Sequence, residues 1–515
     1  MNVLLISLNR ETEPFTAAPL GLALVASSLQ RAGHFVKAID LLFSDDIRRE
    51  LENALDRFEP GFIGLSLRNI ESSTEFLLPS YKETVDILKG LSNAPIAVGG
   101  PGFSIMPVQV LDYLGLSMGI VGEGERPSVR LAKVLDDGGE PATVNGMCTL
   151  KDGRYSITPQ EHIASLAGLS NPAWGLFPVT KYDMVGIQSK RGCSFGCIYC
   201  TYPGLEGRRL RLRPPLMVAD EISEVVERHG PRPFYFVDNI FNNPREHAEG
   251  ICKAVAERGL GVEWGCLASP IGLDEALVDN MVKAGCVSIE IGADSLSGRM
   301  LDRLGKRFSA GDVVSAVNTC RNAGVMSMVF LILGGPGEDA DTLKETFDAL
   351  DKLSPDKVFA VGGIRIYPGT PLADIALDEG VIKPEDSLLA PAFYVSDRLG
   401  DELYRMSEDF FGRHPGWIYY PANGAAGAKA RPQTGATAWD EEAEACLTDV
   451  LGSVPRLLRP IAEKAVKRKA RTLALARGLA SVTKHEVRDA FLSETPGPFQ
   501  GRMKERLRRL GMLDG

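Results

Sequence analysis

Three cysteines stand close together in Cys193-Ser-Phe-Gly-Cys197-Ile-Tyr-Cys200, a Cys-x3-Cys-x2-Cys run. Three thiolates on one short loop suit three irons of a four-iron cluster. The fourth iron then lacks a protein ligand, and a small molecule that chelates it can receive an electron. A structural zinc site asks for four ligands, and the nearest further Cys or His is His229. Zinc or a set of plain thiols is the competing reading. The chain has nine cysteines, and the other six (Cys148, Cys252, Cys266, Cys286, Cys320 and Cys446) sit in apolar stretches as small hydrophobes. An odd number with one tight cluster points to metal rather than disulfides.

The elements that must position this loop are legible as strand–helix repeats. Predicted strands at 184–189, 234–238, 262–267, 287–291, 326–333 and 358–366 alternate with helical segments that include 215–229, 274–284 and 339–353. Six units are too few for a closed eight-fold barrel. The expectation is a partial barrel with its site at the carboxyl ends of the strands. Ahead of it, strands at 3–8, 35–40, 62–66, 96–99 and 119–122 alternate with helices, the clearest at 20–32 behind Pro19. That pattern implies a doubly wound parallel sheet with ligands at its strand ends. The loops there carry Arg68 and Asn69, then Gly99, Gly100 and Gly102, then Gly122, Glu123, Gly124 and Glu125. Glycines at such places let backbone amides approach a ligand closely, or simply make turns. No Gly-x-Gly-x-x-Gly follows the first strand, which counts against a dinucleotide.

A hairpin at 144–158 and an irregular linker at 159–178 separate the two sheets. Residues 371–420 mix helix with aromatics, 422–438 read as a flexible Gly/Ala linker, and 439–511 are predicted helical. Of 515 residues, 44% are apolar and 24% charged, the balance of a globular protein with a large core. The net charge of −10 is uneven: residues 456–515 hold 15 Lys and Arg against 6 Asp and Glu, so the remainder carries −19. Such a tail suits an acidic protein partner or an anionic membrane surface, or is a solvated helical face; without interleaved aromatics, nucleic acid is not expected. The longest apolar run, 325–333, is too short to span a bilayer, and the start lacks a basic leader region, so a cytoplasmic location is expected.

The cysteine loop and the segments after it resemble the radical S-adenosylmethionine (SAM) enzymes. Tyr199 takes the position of an aromatic that packs near adenine in that family. Phe236-Val-Asp238-Asn239-Ile-Phe241 ends the second barrel strand, where the family places polar groups near the methionine moiety. Ile289-Glu290-Ile-Gly292-Ala-Asp294-Ser295 ends the fourth, similar to a Gly-x-Glu-Ser segment near the ribose, with Asp294 replacing the usual Glu. Leu331-Ile-Leu-Gly334-Gly335-Pro-Gly337-Glu338 and Arg365-Ile-Tyr367-Pro368-Gly369-Thr370 match the turns after the fifth and sixth strands, and Tyr367 is the candidate catalytic residue. The resemblance implies a 4Fe-4S cluster on Cys193, Cys197 and Cys200, and SAM bound by the residues just named. One departure stands out: after Trp264 the usual basic residue is replaced by Ala268-Ser269.

A domain of this size ahead of the cysteine loop resembles the cobalamin-binding domain of cobalamin-dependent radical SAM enzymes, through Pro19-Leu20-Gly21, Gly99-Gly-Pro-Gly102-Phe and Gly122-Glu-Gly-Glu125. The implied architecture is a Rossmann-like cobalamin-binding domain at 1–150, a linker at 151–183, a radical SAM partial (β/α)6 barrel at 184–370, a substrate-lining extension at 371–421, a linker at 422–438 and a helical domain at 439–515. The implied function is a C-methyltransferase that uses methylcobalamin and a 5′-deoxyadenosyl radical on an unactivated carbon of a small-molecule substrate, with flavodoxin or ferredoxin as electron donor. The alternatives are a non-methylating enzyme on the same scaffold, such as an oxidative tetrapyrrole ring cyclase, and a cluster-bearing docking protein.

The segment from Trp439 through Val487 resembles the small helical domain of a light-independent protochlorophyllide reductase subunit; a generic helical bundle is the competing reading. Joined by a Gly/Ala linker, it is expected to be dispensable for SAM cleavage but not for full activity on the natural substrate. The first domain lacks the Asp-x-His-x-x-Gly segment that gives cobalt a histidine in classical corrinoid domains: Asp40 is followed by Leu-Leu-Phe-Ser. Arg68 is the candidate beneath the cobalt, or else a surface ion-pair former. The cob(II)alamin form is therefore expected to show no nitrogen superhyperfine triplet in electron paramagnetic resonance (EPR); clear triplet splitting would contradict this.

Overall fold

Short apolar runs, each leading into a helix, build two parallel sheets. The computed structural model describes residues 1–72, 75–414, 416–422, 438–496, 499–509 and 511–513, so the linker expected at 422–438 lies almost wholly outside them. The chain divides into two compact units, Met1–Gly230 with Arg365–Phe393, and Pro231–Ile364 with Tyr394–Gly515.

In the first unit β1 (Asn2–Ser7), β2 (Phe35–Asp40), β3 (Phe62–Ser66), β4 (Ile96–Gly99) and β5 (Met118–Ile120) are parallel in the order β2-β1-β3-β4-β5. The hairpin β6 (Met147–Lys151) and β7 (Arg154–Ile157) extends the sheet antiparallel from β5. Val3, Leu4 and Ile6 are fully buried, as expected of a strand covered on both faces. The helix Leu20–Arg31 starts after Pro19 and buries Leu22, Ala23, Ala26 and Leu29. Strand order reverses between β1 and β3, which opens a crevice at their carboxyl ends. The same unit holds β8 (Val185–Ile187) and a two-stranded hairpin, β9 (Lys190–Arg191) with β10 (Arg211–Leu212), from which the cysteine loop projects.

In the second unit β11 (Pro233–Phe236), β12 (Glu263–Ala268), β13 (Cys286–Asp294), β14 (Met326–Leu333), β15 (Lys357–Gly362) and β16 (Ile418–Pro421) run parallel in sequence order. β16 lies in the stretch read from sequence as an aromatic extension; its Tyr419 and Tyr420 pair with Ala360 and Val361 and cover the edge of β15. The two sheet faces differ. Ile289, Ile291, Ala293, Val329, Leu331, Val358 and Ala360 are buried on the outer face. Tyr235, Leu267, Glu290, Phe330, Ile332, Phe359 and Val361 alternate with them and stay half-buried. An inner face left open is what a ligand-holding partial barrel needs.

The carboxyl-terminal helices Glu441–Leu451, Arg459–Ala476, Lys484–Glu494 and Gln500–Arg509 share a core of Leu447, Val450, Val466, Ala470, Val487, Phe491 and Leu507. Thr483 and Glu486 form the capping box their spacing implies. These helices pack against the second sheet. They close the amino-terminal mouth of the second sheet: Leu458 packs with Met326 and Met328, and Val454 and Phe499 lie against the same cluster. The Leu457 amide donates to Glu263 Oε2 at 3.3 Å, and Arg456 Nη1 to the Pro231 carbonyl at 3.2 Å. Lys357 Nζ lies 3.7 Å from Glu494 with both side chains largely buried, and burial pushes the Lys357 pKa down.

Leu458→Ala is expected to cost about 2–5 kcal/mol, the range for a buried leucine that leaves a cavity. Leu475→Ala on an exposed position (45% accessible) of the adjoining helix should change stability by less than about 0.5 kcal/mol. Urea unfolding of the two variants checks the pair.

Candidate functional site

The cysteine loop is fixed at its base. Gly192 has φ +95°, and a Cβ there would run into the Arg209 carbonyl group; only glycine takes that path without strain. The Gly192 amide donates to Glu206 Oε2 at 3.0 Å and the Cys193 amide to the Gly207 carbonyl at 3.0 Å. At the far side the Cys200 amide donates to the Cys197 carbonyl at 3.2 Å. Cys193 is buried, and Cys197, Tyr199 and Cys200 are half-buried. Among the described residues no three His, Cys, Asp or Glu side chains converge on a single metal ion. A four-iron cluster asks something else, since each thiolate takes its own iron. Three thiols outside any disulfide, on one anchored loop, fit that donor set.

The loop after β1 meets the loop after β3, where Asn69 Nδ2 donates to Glu11 Oε2 at 2.9 Å, and the loop after β2, where Arg10 Nη2 donates to the Ser44 carbonyl at 2.9 Å. Asn9, Arg10 and Glu11 escaped the sequence reading because only the strand order reveals that β1 borders the crevice. Arg68 is exposed. Gly100, at φ +98°, and Gly102 lie against the backbone of Leu67 and Asn69; a Cβ on Gly102 would come within 2.9 Å of Asn69. Their first task is thus to let two strand-end loops touch, with the Gly102 amide donating to the Leu67 carbonyl at 3.1 Å. Gly99 ends β4 against the Ile120 carbonyl, while Gly122 (φ +82°) and Gly124 face Gln160 and Val25. Glu123 and Glu125 are buried in ion pairs with arginines. Glu71, next along the β3 loop, receives Arg365 Nε at 2.8 Å and the Tyr367 hydroxyl at 2.7 Å, and Arg365 lies over the Tyr367 ring. Burial and the Glu71 charge push the Tyr367 pKa up, so its hydroxyl stays protonated.

In the second unit the nominated side chains gather along β11, β13 and β14. Glu290 accepts from the Tyr235 hydroxyl at 2.6 Å; desolvation pushes its pKa up to about 7 against the pull of that bond. Gly292 and Asp294 flank a bulge, with Asp294 at φ +64°. Buried Lys306 lies 2.5 Å from the Asp294 carboxylate and donates to the Gly292 carbonyl at 3.3 Å. No local pattern marks Lys306, twelve residues beyond its partner. Ser295 is occupied by Thr346 Oγ1 at 3.0 Å and by the Ser297 amide at 3.1 Å. In the glycine-rich turn Gly334 and Gly335 direct their amides at Glu338, whose pKa desolvation raises to about 7, and Gly337 (φ +71°) lies under Arg303. Asp238 is buried and Asn239 half-buried beyond β11. Where the usual basic residue is missing, Asn242 joins the loops after β11 and β12, donating to the Ser269 carbonyl and accepting from its amide, both at 2.9 Å.

Residues 187–350 match the family model described as the Radical SAM superfamily, and residues 7–132 match the B12 binding domain. An uncharacterised methyltransferase of Pyrococcus horikoshii is 26% identical over 376 residues, 71% of this chain and 80% of that protein. An anaerobic magnesium-protoporphyrin IX monomethyl ester cyclase of Rubrivivax gelatinosus is 26% identical over 380 residues, 70% of this chain and 66% of that protein. Among solved structures, a radical S-adenosylmethionine methyltransferase from Kitasatospora setae, with cobalamin and a [4Fe-4S] cluster bound, superposes with a TM-score of 0.72 at 21% identity, covering 81% of this chain and 92% of that one. This last likeness establishes the fold.

Glu290 titrates in the folded apoprotein near pH 7, above its ordinary value of 4.5. Its contribution to stability is complete below pH 4.5 and is lost as pH rises through about 7. Glu290→Gln cannot ionise, so its thermal midpoint should fall less between pH 5 and 8 than that of the unsubstituted apoprotein. Parallel midpoint–pH curves would show that the carboxyl is not desolvated.

Proposed function

This chain is a B12-binding radical SAM enzyme, and from that premise we propose that it is a C-methyltransferase acting on an unactivated carbon of a small molecule. Its cofactors are a 4Fe-4S cluster, SAM and cobalamin. Together these supply reductive cleavage of SAM, abstraction of a hydrogen atom and delivery of a methyl group.

The reading assigns Cys193, Cys197 and Cys200 as cluster ligands, the inner face around Glu290, Gly292 and Asp294 to SAM, and the crevice between β1 and β3 to cobalamin. Cobalamin belongs in that crevice because strand order reverses there, and no histidine is placed in it. The Tyr235 bond aims Glu290 into the open face, where its carboxylate can accept from a ribose hydroxyl. Lys306 neutralises Asp294 and keeps that carboxylate from repelling the carboxylate of a methionine moiety. Ile332 and Val361 give the open face an apolar lining, which keeps water from a radical centre. The domain spans given by the sequence serve as the working boundaries of these sites. A one-electron reductant is required, and flavodoxin or ferredoxin is proposed for it.

The observation that carries methyl transfer is that the similar curated proteins are mostly methyltransferases, with cyclases a minority. Anaerobic incubation with a reductant, methyl-deuterated SAM and protein-free small-molecule extract is expected to yield a product that carries the trideuteromethyl group. S-adenosylhomocysteine and 5′-deoxyadenosine should accumulate together. A product formed with 5′-deoxyadenosine but without S-adenosylhomocysteine or label would instead identify the cyclase-type reaction.

A further inference from the structure

The two carboxylates of the Gly-Glu-Gly-Glu turn after β5 are both held by arginines. Arg191 Nη2 reaches Glu125 Oε1 at 2.5 Å, and Arg191 Nη1 lies 3.2 Å from Glu123 Oε2. Arg211 Nη1 lies 2.5 Å from Glu123 Oε1. The Ile163 amide donates to Glu123 Oε2 at 2.9 Å, and His162 Nδ1 is 3.5 Å from Oε1. All four ion-pair side chains are only 5–6% exposed.

Arg191 and Arg211 face each other as partners on β9 and β10, the two strands that frame the cysteine loop. Arg191 is followed directly by Gly192 and Cys193. A second layer repeats the connection. Arg191 Nε donates to Gln188 Oε1 at 2.8 Å, Gln188 Nε2 to Glu206 Oε1 at 3.1 Å, and the Gly192 amide to Glu206 Oε2 at 3.0 Å. Arg211 Nη2 donates to the Glu206 carbonyl at 2.7 Å.

We infer that Glu123 and Glu125 are positioning residues for the cluster: they hold Arg191 and Arg211, and through them the base of the loop that carries Cys193. Stability alone does not account for such a group. Desolvating each ion costs several kcal/mol, and apolar replacements of buried pairs are often neutral or stabilising. What forked, fully desolvated arginine–carboxylate pairs provide is direction. Here they fix a short hairpin that has only two residue pairs of its own to a strand end of the first sheet. The inference rests on Cys193, Cys197 and Cys200 being cluster ligands, and it takes Glu123 and Glu125 out of direct contact with cobalamin.

The test uses the full chain as Glu123→Gln, Glu125→Gln and Arg191→Lys, each anaerobically reconstituted. Three quantities are read: iron release to a chelator, the EPR spectrum of the reduced cluster, and the dissociation constant for hydroxocobalamin from absorbance titration. Partners that orient metal ligands typically change metal affinity 10–100-fold when lost. Iron release is therefore expected to be about tenfold faster or more, with shifted EPR g-values, and cobalamin affinity should stay within about twofold. Loss of cobalamin affinity in either glutamine variant, or iron release and EPR unchanged in all three, overturns the inference. Arg191→Lys keeps the charge and loses the fork, so it decides the matter if circular dichroism shows a glutamine variant unfolded. An unsubstituted protein that takes up no cluster would sink the reading of the cysteines instead.

Discussion

A parallel sheet that holds a ligand must leave one face unfilled, and the second sheet is organised around that constraint. Its outer face is packed with Ile289, Ile291, Val329, Leu331 and Val358, burial that stabilises by ~25 cal/mol per Å² of apolar surface removed from water. The inner face carries Tyr235, Glu290 and Phe330 half-buried. An open face has two mouths, and water entering from the strand beginnings would undo the site. The carboxyl-terminal helices close that mouth through Leu457, Leu458 and Val454.

The charges follow the same logic. Carboxylates in the second unit that lack a cation, Glu290 and Glu338, are driven towards neutrality by desolvation, whereas Asp294 has Lys306 beside it. In the first unit Glu123 and Glu125 take arginines from the cysteine hairpin, and Glu71 takes Arg365 with Tyr367. Glu71, Glu123 and Glu125 on strand-end loops of the first sheet are therefore tied to residues far away in sequence. Loops of this kind are mobile by default, and buried, directional pairs convert them into fixed supports.

The glycines show how a correct position can carry an incomplete reason. Gly100 and Gly102 stand in the turns where the sequence puts close approaches, and Gly192 adds one that the sequence did not single out. What approaches Gly102 is the backbone of Asn69, and what approaches Gly192 is Arg209. The requirement for no side chain is visible in the residue type; the partner that imposes it is not.

The sequence by itself determined both sheet types, most of the order of strands and helices, and which cofactors the chain takes, because these are local: ligand spacing, period-two burial and turn chemistry are written in consecutive residues. Three things were decided only by tertiary structure. The surface that the helices beyond residue 439 cover, the beginnings of strands in the second sheet, is not written in them, since apolar residues on a helix do not name the surface they will cover. The acidic turn at 122–125 reads as a ligand loop, yet its charges are claimed by Arg191 and Arg211, some seventy and ninety residues away. Lys306 meets Asp294 at the bulged end of β13, twelve residues before it in the chain. Long-range pairing depends on which elements the fold brings side by side, and neither spacing nor composition encodes that.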